Sequence, residues 1–269
     1  MAGGERFALI GFGAIGQEIS GACARLGESD SLAAVLVRPG REAGGAPVVH
    51  DLAGLIAAEP SVVLECAGHQ AVCDFGEGVL AAGIDLVVSS VGVLADPETV
   101  GRLARAERAG GGRLLIPAGA IAGLDGLAAA RLAGLESVTY TSYKPPRAWR
   151  GTAAEEVIDL EHPEDEVVFF EGTAREAALG FPKNANVSVA VSLAGLGLDR
   201  TRVRLVSSKT VSDPLGVIEA EGGFGRFLFE IFALAAPGNP KTSALTAYSL
   251  LQCARLGIGL PAARLAALS

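Results

Sequence analysis

The sequence predicts an α/β protein: an N-terminal Rossmann domain on a doubly wound parallel sheet, followed by a second, α+β domain. Three observations carry this. Phe7-Ala8-Leu9-Ile10 reads as a short buried strand that runs into Gly11-Phe12-Gly13-Ala14-Ile15-Gly16, a GxGxxG turn opening a helix over Gln17 to Leu26. Apolar strands then alternate with helices as far as residue 120, the pitch of a parallel sheet. Beyond that point the chain becomes strand-rich with few crossovers, as on a mixed or antiparallel sheet.

Each glycine of the first turn has a mechanical job. Gly11 permits the tight turn, Gly13 lets backbone approach a pyrophosphate, and Gly16 lets the helix pack on the strand. A dinucleotide's phosphates then sit on the N–H groups of Ala14, Ile15 and Gly16, where the helix dipole favours negative charge. Glycine makes up 36 of 269 residues, so the motif alone is a weak signal. Its place between an apolar strand and a helix makes it a dinucleotide-binding prediction.

Leu32-Ala33-Ala34-Val35-Leu36-Val37 reads as the second parallel strand. An NAD-specific site places a carboxylate about 20 residues past the glycines to bind the ribose 2′-hydroxyl. Here the strand runs into Arg38-Pro39-Gly40-Arg41 instead. Arg38 and Arg41 suit a 2′-phosphate, so NADP is expected to bind at least as well as NAD; the alternative is a pair of solvated loop arginines.

Val48-Val49 and Asp51 to Ala58 form a short strand and helix. The run from Ser61 to His69 is an apolar strand ending in Cys66-Ala67-Gly68-His69, small residues where a doubly wound sheet binds its ligand. Cys66, Ala67 and Gly68 are candidate lining for the cofactor. His69 is either a catalytic side chain or a plain helix-start histidine. A helix over Asp74 to Ala82, a strand over Ile84 to Val88, a helix over Pro97 to Ala109 and a strand over Arg113 to Ile121 complete the series. In the second half, helices are expected at Leu124 to Leu132, Ala174 to Leu179 and Asn186 to Leu196. Strands are expected at Ser137 to Tyr143, Val167 to Gly172, Val203 to Ser207, Gly216 to Glu221 and Phe227 to Ala233. A last apolar helix over Ser243 to Leu256 packs back on the first domain, which sets the domains at 1–120 with 242–269, and 121–241.

Composition excludes several classes. A formal charge of −8 argues against nucleic-acid binding, which needs a basic surface. No apolar run reaches the ~18 residues of a membrane span, and no secretory signal opens the chain. Cys23, Cys66, Cys73 and Cys253 form neither a CxxC pair nor a zinc spacing, so reduced thiols, a cytoplasmic location and no metal site are expected.

Six further stretches complete the reading. They are Glu65-Cys66-Ala67-Gly68-His69, Pro117-Ala118-Gly119-Ala120-Ile121, Lys144-Pro145-Pro146-Arg147-Ala148-Trp149, Phe170-Glu171-Gly172-Thr173-Ala174, Pro182-Lys183-Asn184-Ala185-Asn186-Val187 and Gly238-Asn239-Pro240-Lys241-Thr242-Ser243-Ala244-Leu245. On these the chain resembles the bacterial and archaeal L-aspartate dehydrogenases. The resemblance implies a substrate domain that dimerises through its sheet, a homodimer, and NAD(P)-dependent interconversion of L-aspartate and iminosuccinate (oxaloacetate plus ammonia). It also implies two cofactor contacts, Ala120 against the nicotinamide and Asn186 on the carboxamide, although an asparagine there is also a common helix cap.

The chain departs from the family at one place. The family's catalytic histidine falls, without gaps, on Gly216, and its Asp-Pro falls on Ser208-Lys209. The three histidines are His50, His69 and His162, of which His162 lies in an acidic, exposed loop. His69 is then the candidate proton carrier, or the pocket serves a different imine, amine or carbonyl, or the protein binds NADP without turnover. Lys183, Lys209 and Lys241 are candidate partners for substrate carboxylates. Thr242 and Ser243, expected to begin the last helix, could hold an anion or simply cap it.

Overall fold

A computed structural model describes residues 6–182, 185–236 and 239–262. The chain enters through β1 (Phe7–Ile10), α1 (Ala14–Leu26), β2 (Leu32–Leu36), β3 (Val48–Val49), α2 (Leu52–Ala57), β4 (Val62–Glu65) and α3 (His69–Ala81). It continues through β5 (Asp85–Val88), α4 (Pro97–Gly110), β6 (Leu114–Ile116), α5 (Leu124–Leu132), β7 (Leu135–Lys144), β8 (Glu166–Thr173), α6 (Ala174–Gly180) and α7 (Ala185–Ala194). It closes with β9 (Arg202–Ser208), β10 (Leu215–Gly222), β11 (Gly225–Phe232), β12 (Ala235–Ala236), β13 (Asn239–Ser243), α8 (Ala244–Leu256) and β14 (Leu260–Pro261). Two compact units result: one takes the chain to Gly119 and resumes at Leu245, and the other is Ala120–Ala244.

In the first unit the strand order is β14-β6-β5-β4-β1-β2-β3. The six strands β1 to β6 are parallel, and β14 adds an antiparallel edge at Leu260↔Ile116. With β14 set aside this is the 3-2-1-4-5-6 order of a doubly wound nucleotide-binding sheet, which reverses between β1 and β4. β1, β2 and β4 are buried on every residue, as expected of parallel strands covered on both faces. Phe7, Leu9, Val35, Leu64 and Val87 pack with Ile19 and Cys23 of α1 and with Leu250 and Leu251 of α8. Each such aliphatic side chain contributes about 1.5–3 kcal/mol by leaving water. α8 is also tied to α1 by polar contacts: the Tyr248 hydroxyl donates to Glu18 Oε1 at 2.7 Å. That bond, with Arg25 beside it, holds the Glu18 carboxyl below its usual range.

Local chemistry sets the helix ends. Asp96 caps α4 by accepting from the Thr99 N–H at 2.9 Å, Pro97 takes the first helical position, and Gly111 closes the helix in the left-handed region. Some boundaries differ from expectation. The strand expected over Arg113 to Ile121 stops at Ile116, ahead of Pro117, so Ala120 lies in a turn. α3 begins at His69 rather than Asp74. Thr242 and Ser243 do not begin a helix: they end β13, where Ser243 pairs with Ala235, and α8 starts at Ala244.

The second unit is built on a mixed sheet of order β11-β10-β7-β9-β8, with β7 and β9 parallel and the other pairs antiparallel. Helices α5, α6 and α7 cover one of its faces. α6 starts in a capping box, Thr173 with Glu176. Past the end of β7, Trp149 is wholly buried, donates its indole N–H to the Val206 carbonyl at 3.2 Å, and stands edge-on to Phe169 with centroids 4.8 Å apart. Phe181, ahead of α7, extends the cluster to Phe169 and Phe170.

Removing this anchor tests how the unit is held. Trp149→Ala is expected to lower the stability of the second unit by about 3–5 kcal/mol. Trp149→Phe, which keeps a ring but loses the bond to Val206, is expected to cost about 1 kcal/mol or somewhat more. Trp149 is the chain's single tryptophan, so urea unfolding followed by circular dichroism is the appropriate measurement.

Candidate active site

The carboxyl ends of β1 and β4 meet at the switch point of the first sheet, and the glycine turn lies there. Gly11 has φ +93°, and a Cβ built on it falls 2.7 Å from the Ala67 Cβ. A Cβ on Gly16 falls 2.7 Å from the Gly11 carbonyl oxygen. Both positions therefore exclude any side chain. Gly13 is different: a Cβ built there meets nothing within 4 Å. Among the described residues the space above Gly13 is open, and Gly13 caps α1 with no side-chain cap bond and no acidic residue in the first turn. This is a cradle for an anion, with a helix dipole behind it and room for a pyrophosphate. The residues present fit a dinucleotide: Gly11 to Gly16 would hold the diphosphate, on the N–H groups of Ala14, Ile15 and Gly16.

The second half of the cradle is fixed by a residue the sequence reading gave no role. Glu65 ends β4 and is 0% exposed. Its Oε1 accepts from the N–H groups of Ala67 and Gly68, both at 2.7 Å, and from the Ser90 hydroxyl at 3.1 Å; its Oε2 accepts from the Ser90 N–H at 3.0 Å. A buried carboxylate needs such partners. Here they shape the Cys66-Ala67-Gly68 loop and join the end of β4 to the segment after β5. Since Ala67 abuts Gly11, the Glu65 carboxylate also sets the floor of the turn. The sequence held one signal for it, a charged residue closing the fully apolar run Val62-Val63-Leu64. Burial and the Glu65 charge push the Cys66 thiol up, away from the thiolate form a nucleophile needs.

His69 opens α3 with Gly68 as its cap. Arg38 and Arg41 follow β2 on one exposed turn, closed by the Arg41 N–H donating to the Arg38 carbonyl at 3.1 Å. The first unit thus gathers Gly11, Gly13, Ala14, Ile15, Gly16, Arg38, Arg41, Cys66, Ala67, Gly68 and His69 at its carboxyl edge.

Ala120, Asn186, Gly216 and Ser243 belong to the second unit. Asn186 is the second residue of α7 and is exposed. Lys183 lies outside the described residues, as do the side chains of Lys241 and Thr242. Lys209 is placed in a surface ion pair with Asp165 at 3.4 Å, and His162 is 88% exposed beside Asp159. Gly216 lies on β10 opposite Ser142 of β7, and a Cβ built on it falls 3.4 Å from the Tyr140 ring and 3.5 Å from its hydroxyl. Burial pushes the Tyr140 hydroxyl up to about 12 and brings the Lys144 ammonium down to about 8. Lys144, whose Nζ stands 4.9 Å from the centre of the Trp149 ring, is the one lysine the sequence reading passed over. Among the described residues no group of three His, Cys, Asp or Glu side chains could hold a metal ion, and no helix is long and apolar enough to cross a membrane.

A doubly wound sheet whose switch point carries an open glycine cradle defines an NAD(P)-binding dehydrogenase domain. Residues 11–117 match the family described as "Homoserine dehydrogenase, NAD binding domain", and residues 125–256 match "Aspartate dehydrogenase, C-terminal". The L-aspartate dehydrogenase of Ruegeria pomeroyi is 46% identical over 255 residues, covering 93% of this chain and 91% of that one. That of Serratia proteamaculans is 42% identical over 257 residues, covering 93% and 96%. The crystal structure of aspartate dehydrogenase from Thermotoga maritima superposes with a TM-score of 0.76 at 24% identity, over 94% of this chain and 96% of that one. The chain belongs to the L-aspartate dehydrogenase family.

Two substitutions separate the roles of the cradle. Gly13→Ala adds a methyl group to open space, so the melting temperature is expected to stay within a degree or two while NADH and NADPH binding by calorimetry falls at least tenfold. Glu65→Gln turns an amide N–H toward backbone donors. It is expected to cost about 1–3 kcal/mol of stability and to weaken both nucleotides together.

Proposed function

We propose that the protein catalyses the NAD(P)-dependent interconversion of L-aspartate and iminosuccinate, the imine of oxaloacetate and ammonia. The observation that carries this is the open cradle over Gly13, in a chain 46% identical to an L-aspartate dehydrogenase along almost its whole length. The bound nicotinamide supplies or accepts the hydride. The chain's own task is to hold the nucleotide and to move a proton. The α1 N-terminus holds the diphosphate. Cys66, Ala67 and Gly68 line the loop beside it, and Ala120 and Asn186 are assigned to the nicotinamide end on the family resemblance. His69, first on α3, is assigned the proton exchanged with the substrate nitrogen; a general acid or base contributes typically 10²–10⁴-fold. Carboxylate-binding roles for Lys183, Lys241, Thr242 and Ser243 belong to the same reading.

NADP is the preferred nucleotide in this reading. Arg38 and Arg41 stand exposed on the turn after β2, with no carboxylate on that turn to meet a 2′-hydroxyl. A homodimer is part of it too. On the sheet face away from α5–α7, one cross-strand row runs Phe232, Leu215, Tyr143, Val206, Val168. Phe232 is 75% exposed at one end and Val168 50% at the other, with Val206 between them buried; the exposed apolar ends suit a second copy. Four free cysteines fit a reducing, cytoplasmic setting.

Gly216 favours a second reading. With no side chain where the resemblance implies a catalytic histidine, the same scaffold could serve a different imine, amine or carbonyl, or bind the nucleotide without turnover.

The test is the oxidation of NADPH and NADH with oxaloacetate and ammonium, beside a panel of other keto acids, aldehydes and amines. Turnover with oxaloacetate and ammonium ahead of the panel supports the first reading. Faster turnover of another substrate supports the second, and tight nucleotide binding with no turnover leaves a binding protein. Arg38→Asp is expected to raise the KM for NADPH at least tenfold and that for NADH little; equal effects would remove the case for phosphate recognition.

A further inference from the structure

The face of the second sheet covered by α5–α7 changes character along its length. Tyr140, Ser142 and Lys144 alternate onto one face of β7. The register places Ile218 beside Tyr140, Gly216 beside Ser142, and Val203, Leu205 and Ser207 of β9 beside Tyr140, Ser142 and Lys144 in turn. The inner rows are thus largely apolar, and the outermost row is Lys144 with Ser207.

Three features mark that end as built for a polar ligand. Ser207 is 1% exposed, and its Oγ is a buried polar atom with no hydrogen-bond partner among the described residues. An orphan of this kind costs stability and calls for an explanation. Lys144, the only lysine on this face of the sheet among the described residues, sits in the same row and is brought down to about 8, so burial works against a charge that a bound anion would favour. Gly216 puts no side chain into the adjoining row, where the Tyr140 hydroxyl is the nearest polar group.

Resting on the aspartate reading above, we propose that the outer end of this face is a carboxylate subsite, with the Lys144 ammonium and the Ser207 hydroxyl holding one carboxylate of a four-carbon dicarboxylic substrate and Ser142 beside them. The indole of Trp149 stands beside the ammonium, its ring centre 4.9 Å from Nζ.

The probe is succinate, a four-carbon dicarboxylate with no carbonyl or amine to react. Its binding to the NADPH-loaded protein is measured by calorimetry at pH 7, alongside the KM for oxaloacetate. Lys144→Met is expected to weaken succinate and to raise the KM by about tenfold to a hundredfold, with NADPH affinity unchanged. Ser207→Ala supplies the discriminating arm. Because the hydroxyl has no partner among the described residues, its loss is expected to leave the melting temperature unchanged or raised while succinate weakens several-fold. A merely structural serine would show the reverse. Wild-type turnover with unaltered succinate affinity in both variants overturns the subsite alone. No turnover of oxaloacetate together with retained, Lys144-dependent succinate binding overturns the aspartate reading and upholds the subsite. Absence of both overturns the two together.

Discussion

The close approach of the β1–α1 turn to the loop after β4 is the constraint on which the nucleotide-binding half depends. A Cβ on Gly11 would fall 2.7 Å from Ala67, so the two backbones meet without side chains between them. Glu65 holds Ala67 in that position through charge-assisted bonds to consecutive N–H groups, and carries the same restraint across to Ser90. The anion cradle at Gly13 follows from this. Its neighbours are fixed elsewhere, and among the described residues no side chain caps the N–H groups at the start of α1. A short apolar strand, three glycines and one buried carboxylate suffice to aim a helix dipole at a phosphate.

Much of the first unit was legible from residue 7 onward because parallel, fully buried strands write themselves as continuous apolar runs. The failures there have local causes. The run through Ile121 looks apolar throughout, yet Pro117 removes an N–H and ends β6 at Ile116. His69 already helps begin α3, since Gly68 supplies the positive φ that a helix entry here uses, and glycine spacing alone did not reveal it. The final helix starts one residue later than its apolar pattern suggests: the backbone of Ser243 pairs with Ala235, which leaves it at the end of β13 directly ahead of Ala244.

The site was legible by halves. The phosphate cradle depends on backbone shape, and glycine spacing reports backbone shape. What distinguishes Glu65 and Lys144 is burial and partners, neither of which appears in a one-dimensional pattern. Lys209 shows the converse: its charge alone makes it a candidate in the sequence, and in the fold it pairs with Asp165 at the surface. Gly216 is the most instructive position. Its missing side chain is visible at once, but only the sheet register shows that it lies beside Ser142, with the Tyr140 ring against it.

The central claim is that a nicotinamide nucleotide on this cradle exchanges hydride with the carbon bearing the substrate nitrogen. NADPH dideuterated at the nicotinamide C4, incubated with oxaloacetate, ammonium and the purified protein, tests it most directly. Mass spectrometry of the amino acid formed is expected to find aspartate one mass unit heavier, with the deuterium on its α-carbon. Unlabelled aspartate, or none at all from protein that binds the nucleotide, would contradict the account.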